Sequence, residues 1–367
     1  MTVKGWQQAR RILCIRLDQM GDVLMSTPAM RALGAAPGRH LTLLCSDGGA
    51  AAAPMIAELD AVLRYAAPWM KSSDVHAPSS DLAMIETLRA HQFDAAVIFT
   101  SYSQSPLPAA LLCQLAGIPL RLAHCHENPY QLLTDWVRDP EPREHIRHEV
   151  RRQLDLVAAV GCHTADERLS WRVAAGDAAW IRQRLRAAGI DPALPWVLLH
   201  PGASAASRRY PPQQWAQVAR TLALRLACPL VFSGSAEEVA LVEDIRCRVT
   251  AVTHSVAGEL SIGRLGALIA QAPLIVSNNT GPAHLAAAVG TPVVDLYALT
   301  NPQHTPWRVP NRVLYHMVPC LNCYQSVCPQ GHHDCLSKVA PEQVVEAVIE
   351  LLYGERVLRW QEVCAPH

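Results

Sequence analysis

Residues 276–294, VSNNTGPAHLAAAVGTPVV, constrain the fold more than any other stretch of this chain. They have the pattern of a buried strand end, a polar turn, a helix that Gly281 and Pro282 begin, and a second strand. Proline suits the first turn of a helix, because its fixed φ and missing N–H cost nothing there. The unpaired N–H groups of such a turn lie beyond the carboxyl end of the strand and favour anions, phosphate above all. The alternative is an ordinary strand–turn–helix connection without a ligand.

Strand and helix patterns alternate along most of the 367 residues, which is typical of parallel sheets flanked by helices. The length suffices for two domains. The predicted strands lie near residues 11–17, 40–45, 61–66, 95–100 and 120–123, then 169–173, and then 196–200, 229–233, 252–256, 273–277 and 292–297. We therefore predict an α/β protein with two Rossmann-like, doubly wound parallel-sheet domains, residues 1–188 and 189–340. The last helix and tail, residues 341–367, could belong to either domain or cross back to the first.

Composition excludes several classes of protein. The 32 basic and 32 acidic residues give a net charge of zero, which disfavours a nucleic-acid surface. No apolar run approaches the roughly 20 residues of a membrane span, and the N-terminal segment lacks the pattern of a signal peptide. Most of the 12 cysteines stand singly, many in apolar runs, as in proteins of a reducing compartment. We therefore expect a cytoplasmic protein.

A second polar turn, LDQMGD, follows the first predicted strand. Ligands bind at the carboxyl ends of strands in open parallel sheets, and Asp18 and Asp22 both fall there. Gly21 lets the backbone bend before Asp22, which falls at or near a helix N-cap. Asp22 is therefore a candidate general base, with simple helix capping as the alternative. No G-x-G-x-x-G and no G-x-x-x-x-G-K-[ST] loop is present, which disfavours NAD enzymes and P-loop NTPases.

Two turns of the second half offer groups for a phosphate and a ribose. A small polar loop with Ser204 precedes a helix, and Arg208 and Arg209 follow in the same loop. Their guanidinium groups suit phosphate oxygens, although solvated arginines are the alternative. In the next strand–turn–helix unit, Glu237 is placed to accept hydrogen bonds from a ribose, with capping or solvation of the first helical turn as the alternative.

Four segments together resemble glycosyltransferase family 9, the heptosyltransferases: GDVLMSTPAMRAL, HPGAS…SRRYP, SGSAEE and SNNTGPAHLAAAVGTPVV. They stand in that family's order and at about its spacing, and the resemblance covers nearly the whole chain. It implies a GT-B fold, in which two Rossmann-like domains face a central cleft. It also implies transfer of a heptose, with inversion, from an ADP-activated donor to the growing core of lipopolysaccharide.

The resemblance also assigns roles to residues. Asp22 matches the family's catalytic base, and Arg208 stands where a lysine usually contacts the donor's phosphates. Asn279 departs from the aspartate that is common at its position, which puts exact heptose recognition in question, because asparagine cannot serve as a pure acceptor. The complete set of predicted donor-binding residues is Ser204, Arg208, Arg209, Glu237, Asn279, Thr280, Gly281, Pro282 and His284.

The chemistry that these residues can perform agrees with this assignment. A nucleoside-diphosphate donor releases a diphosphate, whose charge must be stabilised. The sequence has no Asp-x-Asp motif for a divalent metal, whereas the helix start at Gly281 and the arginines at 208–209 supply donors. A single displacement then needs one base, which matches Asp22 better than a pair of carboxylates would. We predict metal-independent catalysis that requires no cofactor.

Four cysteines stand close together in PCLNCYQSVCPQGHHDC: Cys320, Cys323, Cys328 and Cys335. The C-x2-C start is typical of a metal knuckle, and we predict a structural zinc site without a catalytic role. Disulfides and free thiols are the alternatives.

Residues 138–152 are rich in arginine and histidine. We predict that Arg143 and Arg147, together with Gly21, contact an anionic, lipid-linked glycan acceptor, with a solvated linker and helix face as the alternative. The same charges would suit docking on the inner face of the cytoplasmic membrane. Other functions stay open: a glycosyltransferase for another nucleotide sugar and a surface polysaccharide, a non-catalytic nucleotide-sugar-binding protein, or a hydrolase or epimerase with Asp18 as an extra acid.

Overall fold

Parallel sheets carry both halves of the chain. The computed structural model describes residues 3–71 and 76–354. The chain divides after Arg172 into two units, and in the described residues each unit contains one six-stranded sheet.

The first unit places its strands in the order β3-β2-β1-β4-β5-β6. The strands are β1 (Arg11–Arg16), β2 (His40–Cys45), β3 (Ala61–Arg64), β4 (Ala95–Ile98), β5 (Leu120–Cys125) and β6 (Asp135–Arg138). The helices are α1 (Val3–Gln8), α2 (Met20–Gly34), α3 (Asp47–Ala50), α4 (Pro78–His91), α5 (Leu107–Leu115) and α6 (Glu149–Ala158). All neighbouring strands are parallel. The strand order reverses between β1 and β4, so the crevice for a ligand lies at the carboxyl ends of these two strands.

The second unit repeats this design with the order β12-β11-β10-β7-β8-β9. Its strands are β7 (Val197–His200), β8 (Leu230–Phe232), β9 (Thr253–Ser255), β10 (Ile275–Asn278), β11 (Val293–Leu296) and β12 (Asn311–Leu314). Its helices are α7 (Ala175–Ala187), α8 (Pro212–Leu226), α9 (Val239–Arg246), α10 (Ile262–Gln271), α11 (Gly281–Val289), α12 (Asp334–Ser337) and α13 (Pro341–Tyr353). Here the strand order reverses between β7 and β10, which are parallel neighbours.

Central strands form because their residues are apolar on both faces. In β1 the residues from Ile12 to Arg16 are buried, and in β4, β7 and β10 every residue is buried. Such continuous apolar runs are typical of parallel strands covered by helices on both sides. The predicted strand at 169–173 is not formed. The backbone N–H of Ser170 instead donates to Thr27 Oγ1 of α2 at 2.9 Å.

The structure corrects the predicted domain boundary. The sequence placed α7 in the first domain by dividing the chain after residue 188, whereas the structure divides it after Arg172. Helix α7 belongs to the second unit because it packs on α10. Gln271 Nε2 donates to the carbonyl of Ala178 at 3.2 Å, and the Arg264 guanidinium lies 4.1 Å from the centre of the Trp180 ring.

The last described helix also belongs to the second unit. Val345 and Val348 of α13 share a buried cluster with Trp215 of α8. Gln217 Nε2 donates to Glu342 Oε1 at 3.1 Å on the same helix pair. Residues 341–353 therefore do not cross back, and the tail at 355–367 lies outside the described residues. None of the helices in the described ranges is long and apolar enough to cross a membrane.

Candidate active site

A buried arginine gathers three carboxylates where β1 ends. Arg16 is the last residue of β1 and is fully buried. Its Nη1 donates to Glu149 Oε1 of α6 at 2.7 Å. Its Nε lies 2.9 Å from Asp18 Oδ2, and its Nη2 donates to Asp22 Oδ1 at 3.2 Å. A buried guanidinium requires such partners, so Arg16 holds both acidic residues of the predicted turn in place.

Neither Arg16 nor Glu149 was predicted from the sequence as a site residue. The sequence signal that could have identified Arg16 is its place as a charged residue at the end of the apolar strand RILCIR. Glu149 gave no signal, because it is 133 residues away from Arg16 in the chain.

Asp22 is the third residue of α2, whereas the sequence placed it at or near the N-cap. The N-cap is Gln19, whose backbone N–H donates to Asp22 Oδ2 at 3.3 Å. Gly21 is buried in the same first turn. The side chain of Asp22 keeps 20% of its surface exposed. Asp22 can therefore help to cap the helix and still present an accessible carboxylate. Its role as general base stays a prediction.

Asp18 lies at the edge of a cavity of about 450 Å³ in the first unit. Gln104 and Trp69 also line this cavity. Gln104 Nε2 donates to Asp18 Oδ1 at 2.6 Å. Burial raises the pKa of Asp18 to about 6, opposed by the Arg16 charge and reinforced by Asp22. The cavity thus combines the indole ring of Trp69 with a carboxyl group whose pKa is raised by burial.

The structure argues against the predicted acceptor contact of Arg147. Arg147 Nη1 donates to Asp155 Oδ2 at 2.8 Å, and its Nη2 donates to Glu141 Oε2 at 3.2 Å. These carboxylates already neutralise the guanidinium inside the unit. Arg143, by contrast, is exposed and forms no ion pair within the described ranges. Of the two predicted acceptor-binding arginines, only Arg143 has a charge that no described carboxylate neutralises.

In the second unit, Asn278 fixes the loop that carries the predicted phosphate-binding arginines. This residue ends β10 and is fully buried. Its Nδ2 donates to the carbonyl of Pro201 at 2.7 Å, and its Oδ1 accepts from the backbone N–H of Tyr210 at 3.1 Å. The two ends of the loop are thus tied to the strand beside β7.

Arg208 and Arg209 have different environments in this loop. Arg209 Nε donates to the carbonyl of Ala203 at 2.7 Å, and its Nη2 lies 3.5 Å from the carbonyl oxygen of the exposed Ser204. Arg208 is half-buried and makes no ion pair or side-chain hydrogen bond with other described residues. Arg209 therefore braces the loop, whereas Arg208 is available for an anion.

The next turn brings Glu238 rather than Glu237 to the strand edge. Glu237 is exposed. Glu238 Oε2 accepts from the backbone N–H of Ser235 at 2.8 Å and lies 3.8 Å from His200 Nε2. A Cβ at Gly202 would lie 2.1 Å from the Glu238 carboxyl carbon, so a larger residue here would displace the Glu238 carboxylate. Sequence order alone did not distinguish between the two adjacent glutamates.

Helix α11 begins at Gly281, as the sequence predicts. Thr280 is the N-cap in an extended conformation, and Gly281 and Pro282 form the first turn. His284 is buried, and its ring meets the ring of His304 edge-on at 6.1 Å between centroids. The N–H groups of this turn lie at the carboxyl end of β10, as the anion-site prediction requires.

Asp295 is a further buried acid, which was not predicted from the sequence. Asn279 Nδ2 donates to Asp295 Oδ2 at 3.0 Å and to the carbonyl of His304 at 3.0 Å. Burial raises the pKa of Asp295 to about 7, opposed by the Asn279 hydrogen bond and the Arg208 charge. The Arg208 charge therefore acts close to the turn that begins α11.

The four clustered cysteines line one small cavity together with His332 and His333. All four are free thiols. Among the described residues, no three His, Cys, Asp or Glu side chains are placed to hold one metal ion. The set as placed does not fit zinc, and the zinc site stays a prediction without geometric support. The cysteine-rich segment does contact the loop of Arg208, because Ser207 Oγ donates to the carbonyl of Gln325 at 2.7 Å.

Sequence comparisons agree with these motifs. The family model described as Glycosyltransferase family 9 (heptosyltransferase) matches residues 82–333, more than half of the chain. Lipooligosaccharide heptosyltransferase 2 of Campylobacter jejuni is 30% identical over 159 residues, which are 42% of this chain and 50% of that protein. Lipopolysaccharide heptosyltransferase 2 of Escherichia coli is 27% identical over 286 residues, which are 73% and 78% of the two chains. The match with the first of these relatives thus spans only half of its length.

Solved structures show the same fold. A glycosyl transferase family 9 protein from Veillonella parvula superposes with a TM-score of 0.79 at 20% identity, covering 94% of this chain and 97% of that one. The E. coli ADP-heptose lps heptosyltransferase II superposes with a TM-score of 0.72 at 23% identity, covering 94% and 99%. These likenesses confirm the predicted fold class.

Proposed function

Because the chain belongs to glycosyltransferase family 9, the heptosyltransferase family, we propose that it transfers a heptose from ADP-heptose to a lipopolysaccharide core or a similar cell-envelope glycolipid. The names of its relatives support the heptose and the acceptor class. The name of the E. coli structure supports the ADP-heptose donor.

The availability of Arg208 is the observation that carries the donor assignment. No described carboxylate forms an ion pair with this guanidinium. Its positive charge opposes the rise in the pKa of Asp295, which lies beside the turn before α11. A nucleoside diphosphate needs a cation and N–H donors for its phosphate oxygens, and Arg208 and the first turn of α11 supply both. These donors would stabilise the negative charge of the departing adenosine diphosphate, so the reaction needs no metal.

Asp22 then acts as the base. As the acceptor hydroxyl attacks the anomeric carbon, Asp22 takes the hydroxyl proton, the new C–O bond forms and the bond to the diphosphate breaks. Attack opposite the leaving group inverts the anomeric configuration. Arg16 and the Gln19 backbone N–H hold the Asp22 carboxylate in place for this proton transfer.

The acceptor is a lipid-linked glycan in this proposal, so the enzyme works at the inner face of the cytoplasmic membrane. The exposed charge of Arg143 favours an anionic acceptor or an anionic lipid surface. Arg147 is left out of this contact because its charge is neutralised internally.

A panel of nucleotide sugars tests the proposal. The full chain is incubated with each sugar and with heptose-deficient core lipid, and the products are analysed by mass spectrometry. We expect one added heptose from ADP-heptose alone. Transfer from another nucleotide sugar would replace the donor, and binding of ADP-heptose without turnover would indicate a non-catalytic binding protein.

A nucleotide-sugar hydrolase is the second candidate, because Asp18 provides a second carboxyl group at the same strand edge with its pKa raised to about 6 by burial. Such an enzyme would release free sugar when the core lipid is omitted. The glycosyltransferase should show little release under that condition.

A further inference from the structure

Two hydrogen bonds use both N–H groups of the Asn279 side chain. One goes to Asp295 Oδ2 and the other to the His304 carbonyl, each at 3.0 Å. Both partners present oxygens, so the amide cannot be turned around without placing oxygen against oxygen. Asn279 Oδ1 accepts no hydrogen bond from any residue in the described ranges. The side chain therefore offers only an acceptor, which corrects the expectation that asparagine cannot serve as one here.

Asp295 makes this orientation obligatory. It lies in β11, next to the strand that leads into the turn, and is fully buried. Its Oδ1 has no hydrogen-bond partner in the described part of the chain. A buried carboxyl group with an unpaired oxygen is costly, so packing alone does not account for it. Its hydrogen bond to Asn279 is formed whether or not Oδ1 carries a proton.

We propose that Asp295 is a positioning residue, which fixes Asn279 as a neutral acceptor for a hydroxyl group of the sugar in a nucleoside-diphosphate sugar. The proposal rests on the proposed function, because Asn279 directly precedes the donor-binding turn at Thr280. The family resemblance places an aspartate at position 279. In this chain the carboxylate lies one strand away, behind the amide, so no additional negative charge stands beside the diphosphate.

A reciprocal exchange of the two side chains tests the proposal. Asn279→Asp alone brings two carboxyl groups together, which raises the pKa of one of them. We expect its KM for ADP-heptose to rise at least about 10-fold near pH 8 with a smaller change in kcat, and part of that loss to recover near pH 6 as one proton binds. The charged and titratable groups that face this pair are Arg208, Tyr297 and His304.

The double variant Asn279→Asp/Asp295→Asn keeps the hydrogen bond and reverses its direction. Its KM near pH 8 should lie below that of Asn279→Asp, since one carboxyl group is removed and one donor–acceptor pair is restored. It should stay above the wild-type value, because aspartate at 279 cannot donate to the His304 carbonyl. Asp295→Asn alone is the matched control, because its amide can turn its oxygen toward Asn279. A double variant that is no better than Asn279→Asp would overturn the proposal.

Binding of ADP by calorimetry separates this inference from the proposed function. ADP lacks the sugar, so Asp295→Leu, which adds no charge at position 279, should bind it like the wild type, and an equal loss of ADP affinity would overturn the sugar-hydroxyl contact. A wild-type chain that neither binds ADP nor transfers heptose would instead refute the proposed function. Thermal melting checks that each variant folds. If Asn279→Asp does not fold, Asp295→Leu removes the acceptor without adding charge. It should raise the KM for ADP-heptose while ADP binding is unchanged, and an unchanged KM would count against the positioning role.

Discussion

At the residue scale, single buried charges determine the chemistry of both units. Arg16 is fully buried and holds Asp18, Asp22 and Glu149 at one strand edge. Asp295 is equally buried but has one hydrogen-bonded oxygen and one unpaired oxygen. The first arrangement fixes three carboxyl groups around one guanidinium, whereas the second leaves a carboxyl group with a single hydrogen-bonded partner. Both arrangements join residues that are distant in the chain.

The variant Asp22→Asn should retain the fold and bind ADP with wild-type affinity, but lower turnover by roughly 10²–10⁴-fold, the usual range for loss of a general base. The amide still accepts from the Gln19 backbone N–H, so the first turn of α2 keeps its cap. Steady-state kinetics measure the change. Asp47→Asn is the control, because its carboxylate is 83% exposed in the same unit. Near-wild-type turnover in Asp22→Asn would remove Asp22 from the mechanism.

The variant Asp295→Asn should change how stability depends on pH. Burial raises the pKa of this acid from 3.8 to about 7, so the folded state keeps a proton that the unfolded chain releases. The free energy of unfolding should therefore fall as the pH rises from about 4 to about 7 and level off above that range. The variant lacks this term and should gain on the order of 1–4 kcal/mol relative to the wild type above pH 7. Denaturant melts at several pH values measure it, and parallel curves for both proteins would contradict the assignment.

At the element scale, neighbouring residues of the loop between β7 and α8 have different roles. Asn278 ties both ends of the loop to β10. Arg209 braces the middle through the Ala203 carbonyl, and Ser207 attaches the loop to the cysteine-rich segment. Arg208 is thereby held half-buried without a partner among the described residues.

The variant Arg208→Ala should weaken binding of ADP more than binding of adenosine. The expected difference is about 1.5–3 kcal/mol, as for one charge-assisted hydrogen bond. Isothermal calorimetry with both ligands measures it. Arg209→Ala is the matched control: it removes the same side chain from the next residue, whose hydrogen bonds go to the loop backbone. Equal losses for ADP and adenosine in Arg208→Ala would show that Arg208 does not contact phosphate.

At the scale of the whole molecule, the same construction is used twice. Each unit reverses its strand order at a pair of central strands, β1 and β4 in one and β7 and β10 in the other. The candidate residues of each unit follow these strands or their neighbours. Parallel sheets place all carboxyl ends on one edge, which explains why turns far apart in sequence supply one site within a unit.

Chelation tests the metal-independent mechanism on the whole enzyme. We expect heptose transfer to survive exhaustive treatment with EDTA, because N–H and guanidinium donors stabilise the leaving group. Circular dichroism must show that the treated protein stays folded, since loss of a metal from the cysteine cluster could unfold its surroundings. A folded protein that loses activity and regains it with magnesium or manganese would refute the mechanism.

Much of the fold could be predicted because its central strands are apolar on both faces. The predicted strands at 11–17, 95–100 and 273–277 overlap β1, β4 and β10. The edge strands β6 and β12 were missed, because their residues are mostly half-buried or exposed and form no apolar run. The boundary near α7 was misplaced because helix packing, rather than local composition, assigns a helix to a unit.

The sequence by itself determined the family, the alternation of strand and helix, and the turns that carry Asp22, Arg208 and Thr280, because these depend on local pattern and order. Only the tertiary structure decided which charged side chains are paired inside the protein and which are available to a ligand. It neutralised Arg147 with Glu141 and Asp155, left Arg208 without an ion pair in the described chain, and placed Asp295 against Asn279. Burial and pairing are properties of residues that meet across strands and helices, so no local pattern encodes them.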